Sequence, residues 1–555
     1  MNPFFYDSSA RVMKQLVEAM VFEKLVPAAE QEQDVWVWQG KSRLFKCFGR
    51  KSAFGRFRLR SLPVFVKNED GWRDACLLDL VDELPVDHPF KQQLVHEFVR
   101  TIMLCEWNEE HVKLPEWRAS LPYEEAERLL IEGHPYHPCF KSRVGFSLSD
   151  HAAYGPEGGA AFPIQWVAVP HEELSGNEPP WKSILGEPLH HQLLSEMEAK
   201  GVSPWTHSFF PVHPWQWKNS WSEWKTLVPL LEAGSYRATQ SVRTLWNEEN
   251  PSMPHVKLSM NMRQTSSVRT LHTPSLCAAP VISDWLLHIQ QTDPVLEDIV
   301  MLSEFAGLAV EGAKGKLGVL WRESIRAHLR SGEEAIPFNA LSMSEKNGRL
   351  LISPWIEQYG AAAWVEQLIK ISVIPVWHLL CVHGIALEAH AQNMILIHEN
   401  GWPVRVALRD FHESMEYVPS FLPDSSRVPD FNAAHEQFQT YKPDESYWMS
   451  SIEALRELVM DTLFVFHLSD VSFQLEEHGV YTELDFWTCV HQLVTAHVSQ
   501  QPDWQKRHGL LKWDQPMIRT ESLFSTKWSA AGNEKSHLIP NILHAIKQEE
   551  QHAIY

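Results

Sequence analysis

Three polar residues of the C-terminal half, His390, Asn393 and Asp410, have the chemical types and spacing of a metal and phosphate site. Two apolar runs rich in β-branched residues flank Asn400-Gly401, which is the strongest short signal for a hairpin turn. Such a hairpin would bring the amide oxygen of Asn393 and the carboxylate of Asp410 to one end of a sheet. Oxygen ligands of this kind suit Mg²⁺ that holds nucleotide phosphates, and protein kinases use the same order of Asn, hairpin and Asp. Taken alone, the stretch is explained better by an ordinary hairpin with polar ends.

The segment between Gly133 and Ser147 concentrates side chains that can carry positive charge. They are His134, His137, Lys141 and Arg143. Prolines in the segment prevent a helix, so its histidines do not form a metal-binding pair one helical turn apart. Arginine binds carboxylates and phosphates through two parallel hydrogen bonds, and lysine acts as a point charge. The segment therefore predicts an anion-binding loop, with a solvated surface loop as the alternative.

Polar and apolar residues alternate over 256–265, which predicts a strand with one polar face. That face comprises Lys257, Ser259, Asn261, Arg263 and Thr265. The segment leads into Ser-Val-Arg-Thr-Leu at 267–271, and the same run of residues occurs at 241–245. The strand could present cations and hydroxyl groups to a phosphate chain. A solvent-exposed face of an antiparallel sheet explains the pattern equally well.

The composition bounds the classes of protein to which these motifs can belong. The chain has 555 residues, of which 44% are hydrophobic and 21% are charged, so we expect a globular protein of about two to four domains. A net charge of −21 argues against nucleic-acid binding and requires any site for an anionic substrate to concentrate Lys and Arg locally. The seven cysteines are scattered and form no C-x-x-C, which favours free thiols and a cytoplasmic protein.

The elements that must position the candidate residues form an α+β fold of several domains. The first 125 residues alternate between helix and strand patterns, and helical material at 361–383 precedes the hairpin. The most apolar stretch, 368–387, contains Lys370 and Pro375, which favours a buried, kinked helix over a membrane span. The N-terminus has no pattern of a signal peptide, so we expect no membrane association.

Several motifs that occur in one order resemble those of the IucA/IucC family, which are siderophore synthetases that work independently of nonribosomal peptide synthetases. The motifs are His134-Pro-x-His137-Pro-x-x-Lys141-x-Arg143-x-Gly145-Phe146-Ser147, His213-Pro-Trp-Gln216, Lys257-Leu-Ser259, Thr265-Ser-x-x-Arg269-Thr270, His390-x-x-Asn393 and Arg409-Asp410-Phe411. The resemblance implies a cupped-hand architecture. Its parts would be a thumb at 1–125, fingers at 126–345, and a palm at 346–555 that contains the kinase-like hairpin.

The resemblance also implies an activity. Family members use ATP and Mg²⁺ to adenylate a carboxylate, usually one of citrate, and pass the acyl group to an amine or a hydroxyl. For this chain it implies citrate or a related carboxylic acid, a polyamine or hydroxylated diamine, and AMP and pyrophosphate as products. It further implies a homodimer.

Matched motif by motif, the resemblance assigns roles to individual residues. Ser241, Arg243, Thr244 and Lys257 would hold the ATP phosphates. Arg269 and His390 would lie between the α-phosphate and the citrate carboxylate and, with Lys257, would be the catalytic residues. Asn393 and Asp410 would bind Mg²⁺ and phosphate. His137, Lys141, Arg143 and Arg269 would line the carboxylate side of the cleft.

His412 departs from the family pattern, because a small residue such as glycine often follows Arg-Asp-Phe there. The geometry of the loop after Asp410 is therefore open. Two other functions also stay open. A kinase-like phosphotransferase would form ADP, although no glycine-rich loop precedes a strand lysine in this sequence. A non-catalytic protein would bind a polycarboxylate or its iron chelate, a siderophore, without turning over nucleotide.

Overall fold

The computed structural model describes residues 8–529 and 535–553. Its first part is an antiparallel sheet packed against a helix. The elements are α1 (Ser8–Phe22), β1 (Ala29–Glu32), β2 (Val35–Gln39), β3 (Leu44–Lys51), β4 (Phe57–Asn68), β5 (Gly71–Asp74), α2 (Leu77–Glu83) and α3 (His88–His111). The strands pair in sequence order, as short turns between antiparallel neighbours allow. Val12, Leu16 and Met20 lie at helical spacing on the buried face of α1, which packs on β4.

The middle of the chain forms a larger antiparallel sheet with the strand order β7-β15-β16-β11-β10-β9-β6-β8. The elements of this part of the chain are α4 (Tyr123–Arg128), α5 (Leu148–Tyr154), β6 (Phe162–Pro170), β7 (Leu174–Asn177), α6 (Trp181–Ala199), β8 (His207–Val212), α7 (Pro214–Ser220), β9 (Val228–Ala238), β10 (Thr244–Asn247), β11 (His255–Leu258), β12 (Arg263–Gln264), β13 (Ser267–Val268), α8 (Thr273–Thr292), β14 (Val300–Met301), β15 (Glu304–Val310) and β16 (Gly318–Arg322). Because β11 lies between β10 and β16, residues distant in sequence meet beside Lys257.

The last part of the chain surrounds the predicted hairpin with helices. Its elements are β17 (Glu334–Pro337), α9 (Ser353–Tyr359), α10 (Ala361–His378), β18 (Ile385–Leu387), β19 (Met394–Glu399), β20 (Trp402–Leu408), β21 (Met415–Tyr417), α11 (Phe431–Ala434), α12 (Ile452–Val459), α13 (Ser469–Glu477), α14 (Glu483–Val498), α15 (Pro502–Leu511), β22 (Met517–Glu521), β23 (Ser536–Pro540) and α16 (Ile542–Ala553). The hairpin strands β19 and β20 lie inside a sheet of order β14-β20-β19-β17.

Two helical runs, Ala361–His383 and Ile452–Glu477, are long and apolar enough to span a membrane. Buried residues make up 67% and 72% of their most apolar windows, so both are core helices of the fold. The buried helix predicted from residue 368 onward is confirmed as part of the first run, Ala361–His383. Each run contains a π-helical segment, at Leu379–His383 and at Met460–Leu468. The wider turns of such segments are frequent at functional sites.

One of the hydrophobic cores crosses the predicted domain limits. One buried cluster joins α1 and the first sheet to α10 and α14, while the large sheet has a separate core of its own. The fold mixes helices and sheets over several domains, as predicted. The finer division into thumb, fingers and palm at 125 and 345 stays a prediction. All seven cysteines are free thiols, which also agrees with the sequence.

The strand predicted over 256–265 is wrong beyond Leu258. After Ser259 the chain leaves the sheet, because Met260 and Met262 turn into a separate apolar core. The chain then folds back through the short β12–β13 pair, and the Met260 N–H donates to the Arg269 carbonyl over 2.8 Å. The polar residues at 261–265 therefore do not share a face with Lys257. This fold-back brings Arg269 toward the site instead.

Candidate active site

The hairpin predicted at the centre of the sequence is confirmed. Asn400 and Gly401 have φ values of 49° and 87°, the left-handed pair that a two-residue hairpin turn requires. Met394 pairs with Leu408, and the Arg409 N–H donates to the Asn393 carbonyl over 3.0 Å. Asn393 and Asp410 therefore emerge at the same end of the sheet. Both line a cavity of about 10 Å³, which is the space of a single water molecule.

Asp410 is held at this end by two cations from the large sheet. Arg322 Nη1 lies 2.7 Å and Lys257 Nζ 3.2 Å from Asp410 Oδ1. Burial by itself would raise the pKa of Asp410, but Arg322, Lys257 and Arg409 together hold it well below its usual range. Asp410 also has φ = 65°, a left-handed conformation that Asp tolerates better than most residues. The carboxylate is thus ionised and fixed at the junction of two sheets.

The loop after Asp410 is fixed by a buried glutamate. Glu304 Oε2 accepts the backbone N–H groups of Phe411 and His412, over 3.2 and 3.0 Å, and Glu304 Oε1 accepts from His412 Nδ1 over 2.7 Å. His412 and Glu304 are both fully buried. His412 Nε2 lies 3.4 Å from Lys257 Nζ. The side chain that departs from the family pattern therefore connects the loop to the large sheet.

The residues predicted to hold ATP phosphates lie together at the β10–β11 edge. Thr244 pairs with Lys257, and the Thr244 N–H donates to Ser241 Oγ over 3.1 Å. Arg243 Nη2 and Lys257 Nζ lie 3.5 and 3.9 Å from Glu413 Oε2. Two cations and a hydroxyl-bearing turn thus adjoin the hairpin end, which is the arrangement that phosphate groups and a metal ion require.

The residues predicted to bind the carboxylate line a second, larger cavity of about 440 Å³. His137, Lys141, Arg143, Arg269 and His390 all lie on its wall. Glu388 and Arg409 line both this cavity and the small one at the hairpin end. The two predicted groups are therefore adjacent. His213 lies apart in an aromatic core, where its Nδ1 accepts the Trp215 N–H over 3.1 Å.

Lys141 and Arg143 are buried rather than solvated, and they share one counter-ion. Arg143 donates to both oxygens of Glu157 over 2.8 and 2.9 Å, and the Lys141 ammonium contacts the same carboxylate. Burial would raise the pKa of Glu157, but Arg143 and Lys141 hold it well below its usual range. The trio keeps one net positive charge. A surface loop is excluded, and carboxylate binding by this group stays a prediction.

Three histidines around the cavity are set in one tautomer by the backbone. His134 Nδ1 accepts the N–H groups of Tyr136 and His137, and His390 Nδ1 accepts those of Gln392 and Asn393, all over 3.1 to 3.2 Å. His137 Nδ1 accepts the Cys139 N–H in the same way. In the neutral rings Nε2 therefore carries the proton and can donate. Burial, with His390 nearby, lowers the pKa of His134 to about 4.

Arg269 is a half-buried cation that pairs with no carboxylate within residues 8–529 and 535–553. Its Nη2 donates to Thr265 Oγ1 over 3.1 Å and to the Gln264 carbonyl over 3.4 Å, and its buried Nε has no partner among the described residues. Within the described chain no carboxylate oxygen lies within 4.0 Å of the guanidinium. Burial, with the charge of Arg243, lowers the pKa of Arg269 to about 10. Withdrawing this charge even partly from water carries a cost that a bound anion would offset.

Comparison with known proteins decides the family. Residues 122–343 match the IucA / IucC family, and residues 362–539 match a family described as ferric iron reductase FhuF-like transporter. The citryl-spermidine/3,4-dihydroxybenzoyl-citryl-spermidine:spermidine ligase of Bacillus anthracis is 35% identical over 97% of this chain and 94% of its own. The chain belongs to the IucA/IucC family. It is a siderophore synthetase, and hence a biosynthetic ligase.

Solved structures of the family share the fold of this synthetase. The petrobactin biosynthesis protein AsbB from Bacillus anthracis has a TM-score of 0.92 and 32% identity, with 98% of this chain and 96% of AsbB covered. ATP-bound aerobactin synthetase IucA from Klebsiella pneumoniae has a TM-score of 0.76 at 18% identity, with 97% and 99% covered. At that identity the likeness to IucA concerns the fold alone.

Within residues 8–529 and 535–553, two groups of side chains have the composition of a metal site. Glu304, Asp410 and His412 form the first group. Glu304 already accepts hydrogen bonds from His412 and from the backbone, so Asp410 is the residue of this group whose oxygen is available to a metal ion. The Asn393 amide nitrogen donates to the Glu388 carbonyl over 3.1 Å, so its oxygen is the free end. Oxygen donors at the hairpin end fit Mg²⁺. The second group is Asp293, His378 and His383, outside this site.

Several residues of the site carried no signal in the sequence. Arg322 reaches Asp410 only because β16 pairs with β11, and Glu304 reaches the loop only because β15 lies beside β16. Glu157 is buried against Lys141 by a contact that follows no local pattern. Buried cations need counter-ions, which indicates that acids lie near Lys141 and Arg143, but the sequence does not indicate which acids.

Proposed function

We propose that this synthetase uses ATP and Mg²⁺ to adenylate a carboxylate of citrate or a citrate derivative. It then condenses the acyl group with a polyamine or a hydroxylated diamine to form an amide. The single observation that carries the proposal is Arg269, whose half-buried guanidinium has no carboxylate partner among the described residues and lies on the wall of the cavity that His390 also lines. The name of the relative at 35% identity, a citryl-spermidine ligase, supports the same pairing of acid and amine.

The chemistry explains why such a site needs cations. A carboxylate is a poor electrophile, and its attack on the α-phosphorus of ATP brings two anions together. Arg269 and His390 would neutralise the charge that develops on the α-phosphate, and Lys257, Arg243, Ser241 and Thr244 would hold the leaving phosphates. Pyrophosphate then leaves, and an amine attacks the acyl carbon and displaces AMP. No enzyme nucleophile is needed.

The hairpin end supplies the oxygen ligands in this proposal. Asp410 and Asn393 would hold Mg²⁺, which when bound neutralises phosphate charge. Lys257 and Arg322 keep Asp410 ionised at neutral pH, because they offset the cost of burying its charge. His137, Lys141 and Arg143 would bind the far carboxylates of the acid through the one positive charge that Glu157 leaves uncompensated.

An acid-by-amine panel with ATP and Mg²⁺ tests the proposal. We expect AMP and pyrophosphate with citrate or a citryl monoamide in the presence of a polyamine. ADP as the nucleotide product would favour a kinase-like phosphotransferase. Ligand binding without any nucleotide turnover across the panel would indicate a non-catalytic binding protein. We further propose that the protein is cytoplasmic and forms a homodimer. Sedimentation of the purified chain measures the oligomeric state directly.

A further inference from the structure

One wall of the larger cavity carries an acid rather than cations. Asp461 and Thr462 lie there at the start of the π-helical segment Met460–Leu468, next to Phe466 and Leu523. The Asp461 Oδ2 accepts the Glu521 N–H over 2.8 Å. Its Oδ1 is buried and has no hydrogen-bond partner within residues 8–529 and 535–553. A carboxylate with one unpartnered oxygen, at the start of a π-helical segment and on the wall of a cavity, is a candidate functional group.

Among the described residues, Asp461 differs from Glu127 and Glu157 in having no cation within ion-pair distance. Glu127 on the wall is paired with Arg409 at 3.0 Å, and Glu157 behind it is paired with Arg143 at 2.8 Å. Among the described residues no Lys, Arg or His nitrogen lies within 4.0 Å of the Asp461 carboxylate. A buried acid of this kind attracts a cationic ligand, as Arg269 attracts an anionic one.

We propose that Asp461 binds the amine substrate as an ammonium ion and takes its proton before the attack on the acyl adenylate. The inference rests on the proposed function, since it assigns the second half of the same reaction. Phe466 offers an apolar wall for the methylene chain of a polyamine. Arg269 and Asp461 line one cavity, so a substrate ammonium is repelled from the adenylation side and held by Asp461.

The proton balance makes such a residue necessary. An alkylamine is protonated at neutral pH, like the ammonium of lysine, and its nitrogen has no lone pair until one proton leaves. Asp461 accepts that proton. The neutral nitrogen then forms a C–N bond with the acyl carbon, the C–O bond to AMP breaks, and the nitrogen loses its second proton to the departing phosphate or to water. Burial, with the negative charge of Glu457, raises the pKa of Asp461 to about 7 against the opposing effects of the Thr520 hydroxyl, the Glu521 N–H and Arg456. A pKa in this range suits proton transfer at neutral pH.

The variant Asp461→Asn separates the two halves of the reaction. We expect citrate-dependent exchange of pyrophosphate into ATP to stay within about threefold of wild type, because adenylation uses the opposite wall. Amide formation with spermidine should fall by about 10²–10⁴-fold, the range that general-base catalysis contributes. Hydroxylamine, which is uncharged at neutral pH and needs no base, should restore product formation to near the wild-type rate. Asp503→Asn, in the exposed first turn of α15 and absent from the cavity wall, is the matched control.

A pH profile of the unmodified enzyme provides a second measurement that does not depend on a variant. The rate of the spermidine reaction should rise through pH about 7 as Asp461 ionises, and the hydroxylamine reaction should lack that limb. Normal spermidine condensation by Asp461→Asn would overturn the inference, and so would an equal loss with hydroxylamine or a loss of exchange. Absence of exchange in the wild type with every acid would instead overturn the proposed function, and this inference with it.

Discussion

Lys257 Nζ lies 3.2 Å from Asp410 Oδ1, although 153 residues separate them in the chain. The contact joins the edge of the large sheet, where Lys257 pairs with Thr244, to the end of the β19–β20 hairpin. Arg322 completes the junction at 2.7 Å from the same oxygen. One carboxylate thus sets the distance between the group predicted to hold phosphates and the group predicted to hold the metal.

Asp410→Asn tests the metal edge. Asparagine keeps the shape and tolerates the left-handed φ of 65°, so the loop should persist while the charge is lost. We expect Mg²⁺-dependent binding of ATP to weaken by at least tenfold in calorimetry. The variant should also lose roughly 3–5 kcal/mol of stability toward urea, because Lys257 and Arg322 are left without their counter-ion.

Asp298→Asn is the control for this experiment, because that carboxylate is 74% exposed and pairs with Arg330 at the surface. It should leave ATP affinity and stability nearly unchanged. Unchanged ATP affinity in Asp410→Asn would refute a metal site at the hairpin end.

Arg269→Gln tests the anion site. Glutamine can still donate to Thr265 but carries no charge, so the local hydrogen bond survives while the attraction for an anion is lost. We expect citrate-dependent pyrophosphate exchange to fall by about 10²–10³-fold, as for the removal of a group that stabilises transition-state charge. The melting temperature should stay the same or rise, because the substitution removes a half-buried cation that has no carboxylate partner among the described residues. Exchange at the wild-type rate would contradict the assignment.

The hairpin could be predicted because its signal is local. Asn400-Gly401 and two β-branched runs determine the turn and the register, and these place Asn393 and Asp410 together without reference to the rest of the chain. The contact of Asp410 with Arg322 could not be predicted in this way. It depends on which strands of the large sheet are neighbours, and no local propensity determines that order.

The error at 256–265 has the same origin. Alternation of polar and apolar residues is the pattern of a strand, but Met260 and Met262 are buried by tertiary contacts with Phe146 and Trp215 in a fold-back. The motif resemblance assigns roles to Lys257 and Arg269 without reference to that strand, and these roles stay predictions. The resemblance gives no sign of Glu157. The sequence therefore predicts an anion-binding loop at Lys141 and Arg143 without the counter-ion that these two cations share.

Glu157→Gln tests the electrostatics of that buried trio. The substitution leaves Lys141 and Arg143 without their carboxylate, and we expect a loss of about 3–5 kcal/mol at pH 7. Because the folded pKa of Glu157 lies well below its ordinary value of 4.5, its stabilisation is fully present above that value and is lost as the pH falls toward the folded pKa.

Urea unfolding between pH 3 and 7 measures this effect. The difference in stability between wild type and Glu157→Gln should therefore narrow as the pH falls below about 4.5. Glu357 pairs with Arg349 at the surface, and its side chain is 66% exposed. The control variant Glu357→Gln should therefore differ little from wild type in stability at every pH. A gap between wild type and Glu157→Gln that stays constant down to pH 3 would rule out the buried ion cluster as its source.

Gly401→Ala tests the turn that organises the hairpin. A Cβ at this position would lie 2.0 Å from Trp355 Cδ1, and the backbone φ of 87° is strained for any residue with a Cβ. We expect the strain alone to cost about 1–3 kcal/mol, with the displacement of Trp355 adding to it. Asn400→Gly is the matched control, because glycine accepts the φ of 49° found there and the register is kept. If thermal unfolding gave the same midpoint for Gly401→Ala as for wild type, the turn would have to differ from the left-handed pair that places Asn393 beside Asp410.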